Sequence, residues 1–594
     1  MAFLMAMPWN AGEERMHRLL RVPDQDNPTS TVLTPQASFM LQKGSLLALG
    51  TLDNHERPWV TLFGGSPGFS EPLGGGFVGT RTLVDSENDP VVQALVGDAK
   101  DGEMSQPKDG GKMLAGLAID LMTRKRVKIG GRMVAGTVKE VNVEFEDGAE
   151  PQKQSQIQLV TKIEESLGNC PKYLNQYEIR PALVKAELVS SGSSLSDEGK
   201  TLTQRADMFF LSTSTPIDMD VNHRGGAGGF VRVISSTCIA YPEFSGNRLY
   251  QSLGNLQINP KIGITFPDYG TGDVLYITGT TEILVGAEAE KLLPGSNLAV
   301  KIEISEARYV KQGLSFRGVP KIPSPYNPRV RPLATEGNIR SSLNSGTTLT
   351  AQLTRKTLLS PSIARFTFSV PEGITYAPGQ WIALDFKEHL DVGYEHMRDD
   401  DPMSLNDDFV RTFTISSAPK GKDTEFEITI RNVGAVTKFL FRQNERAGFE
   451  VPILGIGGDF EIKQNGEGVT PFVTGGVGIT PLLGQVDTLD LQEGRFKLLW
   501  AVRATDVGLV IDTMERYSGL KGVTEVFFTG GQGIDEKMEK LKAEGVKIEM
   551  RRLTKADMEL MEAETFYLCA GKGFRKEVQS WLVGKKVLFE DFDF

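Results

Sequence analysis

Val469-Thr-Pro-Phe-Val-Thr-Gly-Gly-Val-Gly-Ile-Thr-Pro481 carries the clearest structural pattern in the C-terminal part of the chain. An apolar, β-branched run is followed at once by Gly475, Gly476 and Gly478, which predicts a buried strand that turns sharply into a helix. We expect the glycines to take positive φ and to let a ligand come close, and Pro481 suits the first helical turn. Free N–H groups at that turn would face an anion such as a pyrophosphate, although a tight strand-to-helix connection explains the glycines equally well.

The sequence of residues 475–481 resembles the pyridine-nucleotide motif of the ferredoxin-NADP reductase family. The resemblance implies that Gly475, Gly476, Gly478 and Thr480 bind NAD(P)H. From Gly468 onward, apolar strands alternate with helix-like segments, which is consistent with a parallel sheet that binds ligand at the carboxyl ends of its strands. We therefore predict an NAD(P)-binding α/β domain over residues 467–594.

Composition limits the classes of function. The chain has 594 residues, enough for three or four domains at about 150 residues each. A net charge of −11 argues against nucleic-acid and anionic-membrane partners, and no apolar run is long enough to span a bilayer. The three scattered cysteines cannot supply the four thiolates of a ferredoxin-type cluster. We expect no metal site and a reducing, cytoplasmic location.

The N-terminal half has a β pattern that occurs twice. Two β-like runs, 46–52 and 59–63, flank the polar turn Asp53-Asn54 and predict a hairpin. A similar layout recurs at 207–213 and 229–234, which indicates two related β-units. Further along, residues 318–345 are rich in Pro and Ser and predict a linker.

Several N-terminal segments resemble the pyridoxamine-phosphate-oxidase-like, FMN-binding split-barrel family. These segments are 118–126, 169–173, 222–232, 246–255 and 267–279. The resemblance implies a split-barrel domain over residues 15–317, in a family whose members bind FMN, another cofactor or none. Split barrels commonly pair, so we expect a homodimer.

Basic residues of this half are candidate phosphate ligands. His223 and Arg224 combine charge with a glycine turn, and a merely structured turn is an equal alternative. For Arg124-Lys-Arg126 a solvated basic face is favoured over a phosphate site. For Cys170 an inert thiol is favoured over a nucleophile, because no base is apparent beside it.

After the linker, Arg411-Thr-Phe-Thr414 reads as a strand with Arg411 and Phe413 on one face and Thr412 and Thr414 on the other. It resembles the flavin motif of the reductase family. That resemblance implies an arginine on a flavin phosphate, an aromatic ring packed on the flavin, and the catalytic Thr414 hydroxyl near N5. Phe413 stands where the family has tyrosine, so a phenolic hydrogen bond is lost.

A second phosphate-binding feature follows in the segment Gly434-Ala435-Val436-Thr437, which opens a predicted helix. Two such features favour FAD over FMN, so we predict an FAD-binding antiparallel β-barrel over residues 346–466. The acidic residues 399–401 and 407–408 within this range indicate a solvated loop rather than a docking patch for a basic partner.

The C-terminal end supplies the remaining candidates. The segment Tyr567-Leu-Cys-Ala-Gly571 resembles the family's Cys-Gly-Pro turn, but Ala570-Gly571 follows the cysteine in place of Gly-Pro. The resemblance implies that Cys569 is a catalytic candidate beside the nicotinamide. The family's terminal acidic and aromatic residues imply Glu590 as a further catalytic candidate and Phe594 as a flavin contact. Arg503 leaves the choice between NADH and NADPH open.

Taken together, these patterns predict a multidomain flavoprotein oxidoreductase: β split barrels, then an antiparallel β-barrel flavin domain, then a parallel-sheet nucleotide domain. It would pass electrons from NAD(P)H through FAD to an unidentified small molecule or redox protein, with FMN as a candidate second cofactor in the N-terminal domain. The alternative is a redox-sensing or partner-docking flavoprotein whose split barrel is a non-catalytic dimerisation module.

Overall fold

The computed structural model describes residues 7–97, 101–107, 110–144, 150–336, 349–464, 466, 468–531, 535–559 and 561–590. The chain forms two compact units. Unit 1 comprises Met1–Asn338 with Tyr394–Asp407, and unit 2 comprises Ile339–Gly393 with Asp408–Phe594. A short segment from the second half of the sequence therefore belongs to unit 1. In the parts of the chain given above, no helix is long and apolar enough to cross a membrane.

The first part of unit 1 is a seven-stranded antiparallel sheet in the order β2-β1-β5-β6-β7-β4-β3. The predicted hairpin is confirmed, since Leu46 lies opposite Gly64 and Leu52 opposite Pro58. The strands are β1 Leu46–Leu52, β2 Pro58–Gly64, β3 Ser70–Gly74, β4 Phe77–Leu83, β5 Lys112–Asp120, β6 Lys125–Val143 and β7 Gln152–Asn169. The helices are α1 Ala11–Leu19, α2 Pro35–Lys43 and α3 Pro90–Val96.

The second part of unit 1 is another antiparallel sheet, in the order β11-β10-β14-β15-β16-β13-β12, with β9 also paired to β16. A separate ribbon pairs β8 with β17. The strands are β8 Tyr177–Pro181, β9 Glu187–Gly192, β10 Met208–Ser214, β11 Met219–Gly225, β12 Arg232–Ser235, β13 Cys238–Pro242, β14 Lys261–Pro267, β15 Val274–Val285, β16 Leu298–Lys311 and β17 Phe316–Pro320. The helices are α4 Asp197–Arg205, α5 Gln251–Ile258 and α6 Ala287–Leu292.

The two sheets share one topology. If β10 to β16 are numbered as one to seven, the second sheet has the order 2-1-5-6-7-4-3, which is the order of the first. The prediction of two related β-units is confirmed in the strand order, but the hairpin partner of β10 is β11 and not the predicted run 229–234, which overlaps β12. One core cluster contains residues of both sheets, including Leu62, Phe63, Phe210 and Val274. Strand β17 extends to Pro320, into the stretch predicted as linker.

Unit 2 begins with a six-stranded antiparallel sheet in the order β21-β20-β23-β18-β19-β22. Its two outer strands meet through a bridge between Ile415 and Ile428. The strands are β18 Leu349–Ser360, β19 Ile363–Ile374, β20 Trp381–Asp385, β21 Val410–Thr414, β22 Asp423–Arg431 and β23 Glu450–Gly457. The helices are α7 Lys387–Leu390 and α8 Ala435–Arg442. The prediction of a multidomain, β-rich chain with antiparallel sheets is confirmed.

The second part of unit 2 is a six-stranded sheet in the order β27-β26-β25-β24-β28-β29, in which every pairing is parallel. The strands are β24 Thr470–Gly475, β25 Phe496–Arg503, β26 Thr524–Thr529, β27 Lys547–Glu549, β28 Thr565–Cys569 and β29 Lys586–Glu590. The helices are α9 Thr480–Leu483, α10 Val507–Arg516, α11 Glu536–Ala543, α12 Lys555–Glu559 and α13 Lys572–Trp581. The strand order reverses between β24 and β28, where parallel sheets leave a crevice for ligands.

Candidate functional site

Strand β21 carries two buried hydroxyl groups that lack partners. Thr412 lies opposite Ala383 and Thr414 opposite Trp381 in the pairing with β20. Neither Thr412 Oγ1 nor Thr414 Oγ1 has a hydrogen-bond partner among the described residues, although both atoms are buried. Because buried polar groups are nearly always satisfied, two orphaned hydroxyls on one face of a strand suit a polar ligand that would complete them.

The other face of β21 carries Arg411 and Phe413. Arg411 Nη1 donates to the carbonyl oxygen of Val410 at 2.9 Å and lies 3.8 Å from Asp408 Oδ1. Its side chain is about one-quarter exposed, so the guanidinium reaches solvent. The ring of Phe413 meets Phe386 edge to face at 6.4 Å, which fixes one edge of the ring against the barrel core.

Helix α8 begins at the predicted phosphate feature. Gly434 is its N-cap, and Thr437 Oγ1 accepts hydrogen bonds from the N–H groups of Val433 and Gly434, both at 2.9 Å. The Thr437 hydroxyl is therefore engaged in capping, whereas it was predicted to be available for a phosphate. The first intrahelical bond runs from Lys438 N–H to Gly434 O, so the N–H groups of Ala435, Val436 and Thr437 precede the helical ladder and remain the donors for an anion.

The glycine turn follows β24 at the reversal of strand order. Only Gly476 of its three glycines has a positive φ, of 53°, so the prediction of positive φ holds at one position. Gly478 is required for a different reason, since a Cβ there would lie 2.3 Å from Cys569 O. Trp500 Nε1 donates to Gly476 O at 2.9 Å and fixes the turn, while Thr480 is buried at the start of α9.

The structure brings Cys569 and Glu590 together as register partners in β28 and β29. Burial, and to a lesser extent the Glu590 carboxylate, raises the pKa of the Cys569 thiol well above its usual value. The thiol is therefore protonated at neutral pH and is a small uncharged side chain. Phe594 lies outside the described residues.

Sequence reasoning missed Arg575. Its guanidinium is buried, lies 5.2 Å from the ring centroid of Phe589 and opposes the rise in the pKa of Cys569. Arg575 is in α13, four residues beyond the turn that ends at Gly571, and only its unusual position on an amphipathic helix could have indicated it.

A second missed feature is the ion network between the two parts of unit 2. Arg431 Nη2 pairs with Asp506 Oδ2 at 2.7 Å, and Ser360 Oγ donates to Asp506 Oδ1 at 2.7 Å. Burial alone would raise the pKa of Asp506, but these hydrogen bonds outweigh it and lower the pKa. A Cβ on Gly476 would lie 3.1 Å from Arg431 Nη2, so the network lies beside the glycine turn.

The candidates in unit 1 are paired differently from expectation. Arg224 binds Glu243 through two contacts, Nη2 to Oε1 at 2.6 Å and Nε to Oε2 at 2.7 Å. His223 is buried, and burial together with Arg126 and Arg224 holds its pKa well below the usual value. The charge expected for a phosphate is thus already compensated at this pair. The favoured prediction of a solvated basic face is wrong for Arg126, which is buried because β6 directs it into the interior.

Comparison with known proteins places these features in context. No protein-family model matches the chain. A flavohemoprotein of Candida albicans is 28% identical over 183 residues, covering 30% of this chain and 44% of that protein. A flavohemoprotein of Halalkalibacterium halodurans is 31% identical over 129 residues, covering 20% of this chain and 27% of that protein. The chain thus spans less than half the length of these relatives.

Among solved structures, the flavohem-like FAD/NAD-binding domain of a nitric oxide dioxygenase from Vibrio cholerae is 20% identical, with a TM-score of 0.30. The similarity covers 41% of this chain and 97% of that domain. At this TM-score we draw no functional conclusion from it.

The sequence similarity to flavohemoproteins over part of the chain supports the prediction of an NAD(P)H-dependent flavoprotein oxidoreductase. The FMN-binding split barrel stays a prediction. The activity, substrates and partners of the whole protein are proposals.

Proposed function

We propose that the described part of unit 2 binds FAD and NAD(P)H and passes electrons from NAD(P)H to a further acceptor. FAD, when bound, supplies a group that takes a hydride from nicotinamide C4 at flavin N5 and passes the electrons on. The observation that carries the proposal is the pair of buried, unpartnered hydroxyls of Thr412 and Thr414 on the strand after Arg411. A polar ligand in this place would satisfy both groups.

The chain's own residues bind and orient the two ligands. Arg411 is proposed to hold a flavin phosphate, Phe413 to pack on the flavin, and Thr412 and Thr414 to hydrogen-bond to it. The N–H groups of Ala435, Val436 and Thr437, after Gly434, would receive the pyrophosphate.

On the nucleotide side, the proposed contacts are the turn Gly475, Gly476 and Gly478 with Thr480. Cys569 and Glu590 would lie beside the nicotinamide, and Phe594 would contact the flavin. No side-chain acid or base is needed for hydride transfer, so these residues act by orienting the rings and excluding water.

For unit 1 we propose two split barrels of one topology, within a domain of residues 15–317, followed by a linker at 318–345. The repeated strand order supports this proposal. A homodimer, FMN as a cofactor of this domain, and a cytoplasmic location belong to the same proposal. The domains 346–466 and 467–594 are proposed to bind FAD and NAD(P)H respectively.

The acceptor separates two versions of the proposal. In the first, unit 1 binds the acceptor or a second flavin and receives electrons within the chain. In the second, unit 1 is a dimerisation or docking module, and the protein is a redox sensor or a partner of a separate acceptor. Release of the cofactors from the full chain tests for the second flavin, because one FAD and one FMN per chain fit only the first version, whereas FAD alone excludes a second flavin in unit 1.

The test of the flavin site is Arg411→Ala, with Arg446→Ala as the matched control on an exposed arginine of the same unit. Loss of a charged hydrogen bond of about 1.5–3 kcal/mol should weaken FAD binding by about tenfold to a hundredfold. Flavin retained through dialysis, and anaerobic reduction by NADH and by NADPH, are the measurements. If Arg411→Ala keeps its flavin as well as Arg446→Ala does, Arg411 holds no flavin phosphate.

A further inference from the structure

Unit 1 contains a small cavity at the ends of β6, β7 and β11, remote in sequence from the proposed flavin residues. Its volume is about 90 Å³. Since a water molecule needs about 10–15 Å³ of such volume, the cavity has room for a group of about six to nine water-sized positions. This is enough room for a phosphate group with a few further atoms.

The lining of this cavity is strongly cationic. It contains one carboxylate, that of Glu243, and the five cationic side chains of Arg126, Lys128, Lys172, Arg224 and Arg248. Two of the cations are neutralised within the protein. Arg224 pairs with Glu243, and Lys128 Nζ pairs with Asp220 Oδ1 at 2.6 Å. The other three have no carboxylate partner among the described residues.

Arg126 is the most exceptional of the three. It is 7% exposed, and its Nε is buried without a hydrogen-bond partner in the part of the chain that the structure describes. Its Nη1 lies 2.9 Å from His223 Nε2, which is an uncharged acceptor because His223 is neutral. Burial lowers the pKa of the guanidinium to about 9, as expected for a cation removed from water without a counter-ion.

Lys172 is the second uncompensated cation, and it is 1% exposed. Its ammonium donates to the carbonyl oxygens of His396 at 2.6 Å and Gly246 at 3.4 Å. The third of its three N–H groups can therefore donate to a ligand. Burial first, and Arg126 to a lesser extent, lower the pKa of Lys172 to about 8. The two cations therefore repel each other at the same cavity.

Buried charges are normally paired, because an isolated charge is costly to remove from water. Apolar residues of similar volume would make unit 1 more stable at these positions. The retention of two mutually repelling cations, one with an orphaned N–H group, indicates an anion that compensates them when it is bound.

We propose that this cavity binds a phosphate group, either free or as the terminal monoester of a small metabolite, with Arg126 and Lys172 as its charged ligands. The Arg126 guanidinium supplies the planar donor pair that matches phosphate oxygens, and Lys172 supplies the remaining ammonium N–H. The site needs neither FAD nor NAD(P)H, and phosphate would occupy it whether or not unit 1 binds FMN, so it goes beyond the proposed function.

The segment Tyr394–Asp407 contacts three residues that line the cavity. Arg248 stacks on the ring of Tyr394 at 3.4 Å, and Met397 Sδ lies 3.8 Å from Cys170 Sγ, while His396 O holds Lys172. In the sequence this segment lies between β20 and β21, immediately before Arg411. The stretch of chain that holds Lys172 thus precedes the proposed flavin strand in the sequence.

The experiment uses the full chain saturated with FAD, and inorganic phosphate as the probe. We compare Arg126→Met and Lys172→Met with Lys125→Met, which removes an exposed cation next to Arg126 on β6. Binding is measured by equilibrium dialysis with labelled phosphate and by thermal unfolding. We expect at least a tenfold loss of phosphate affinity in the two cavity variants and no change in Lys125→Met.

A second readout separates a binding role from a structural one. Without phosphate, Arg126→Met and Lys172→Met should unfold at a higher temperature than the natural protein, because an uncompensated buried charge is gone, and phosphate should no longer raise that temperature. A lower unfolding temperature, or undiminished phosphate binding, would overturn the proposal.

Two further arms identify the source of the phosphate and cover variants that do not fold. FMN that competes with phosphate, while riboflavin does not, would identify a flavin monoester as the ligand. Slower alkylation of Cys170 in the presence of phosphate, measured on the natural protein by mass spectrometry, supports the site without any variant. Absence of both phosphate binding and protection of Cys170 would refute it.

Discussion

Thr414→Val offers a sharp test of the flavin site, because it should change the stability of the apoprotein and the affinity for FAD in opposite directions. Thr414 is 5% exposed, and its hydroxyl has no partner among the described residues. An unsatisfied buried hydroxyl costs about 1–3 kcal/mol. Valine has the same shape without the hydroxyl, so we expect the flavin-free protein to gain about 1 kcal/mol, or about 2–4 °C in Tm for a unit of this size.

With FAD bound, the same substitution removes a hydrogen bond of about 1 kcal/mol. The gain in the apoprotein and the loss in the complex both oppose binding, so FAD should bind about 2 kcal/mol more weakly, or about thirtyfold. The assay is thermal unfolding of the flavin-free protein together with FAD titration followed by flavin fluorescence.

Thr429→Val is the matched control. Thr429 is also 5% exposed and lies on β22 of the same barrel, but its hydroxyl bonds to Ser416 Oγ at 3.0 Å. Its loss should destabilise the apoprotein by about 0.5–1.5 kcal/mol and leave FAD affinity unchanged. If Thr414→Val destabilises the apoprotein as Thr429→Val does, the Thr414 hydroxyl is already hydrogen-bonded without FAD, and the prediction is wrong.

Two further predictions concern ionisation. The raised pKa of Cys569 keeps its thiol protonated between about pH 6 and 9, so Cys569→Ala should lower the rate of flavin reduction by NAD(P)H by up to about tenfold without moving its pH profile; loss of an inflection in stopped-flow rates would contradict this. In unit 1, burial first, and then Asp218 and Asp220, raise the pKa of Glu165 to about 8. Because the pKa of Glu165 is higher in the folded protein, its contribution to stability is fully present below the unfolded pKa of about 4.5. That contribution is lost as pH rises through the folded pKa of about 8. Unit 1 should therefore melt earlier at pH 9 than at pH 6, and Glu165→Gln should reduce the difference; equal pH dependence in both proteins would show that Glu165 does not carry it.

Local requirements explain what could be predicted from the sequence. The glycine turn, the Arg411–Thr414 strand and the start of α8 each depend on a few consecutive residues, so their patterns are legible without a structure. The two β-like runs of β1 and β2 around the polar turn Asp53-Asn54 predicted a hairpin for the same reason.

What could not be predicted depends on tertiary pairing. Arg431 meets Asp506 across 75 positions, and Arg126 meets His223 across 97. No periodicity links such residues. The sequence also did not indicate that Tyr394–Asp407 belongs to unit 1. Its acidic residues indicated only solvent exposure, whereas the Asp399 carboxylate accepts a hydrogen bond from Tyr326 at 2.6 Å.

The repeated topology of unit 1 bears on how many phosphate groups it should bind. The cavity is lined by the start of β6, from the first sheet, and the end of β11, from the second sheet. The topologically equivalent strand ends are the start of β15 in the second sheet and the end of β2 in the first. A second cavity would be expected there if the repeats were functionally equivalent.

The residues at those equivalent strand ends are apolar. Val274 begins β15, Leu62 and Phe63 lie near the end of β2, and all three belong to the core cluster that contains residues of both sheets. The place that is topologically equivalent to the cationic cavity is therefore filled with hydrophobic side chains, which provides stability without a ligand. We expect one phosphate per chain in equilibrium dialysis of the FAD-saturated protein, and a stoichiometry of two that is insensitive to Arg126→Met would show that the cationic cavity is not the binding site.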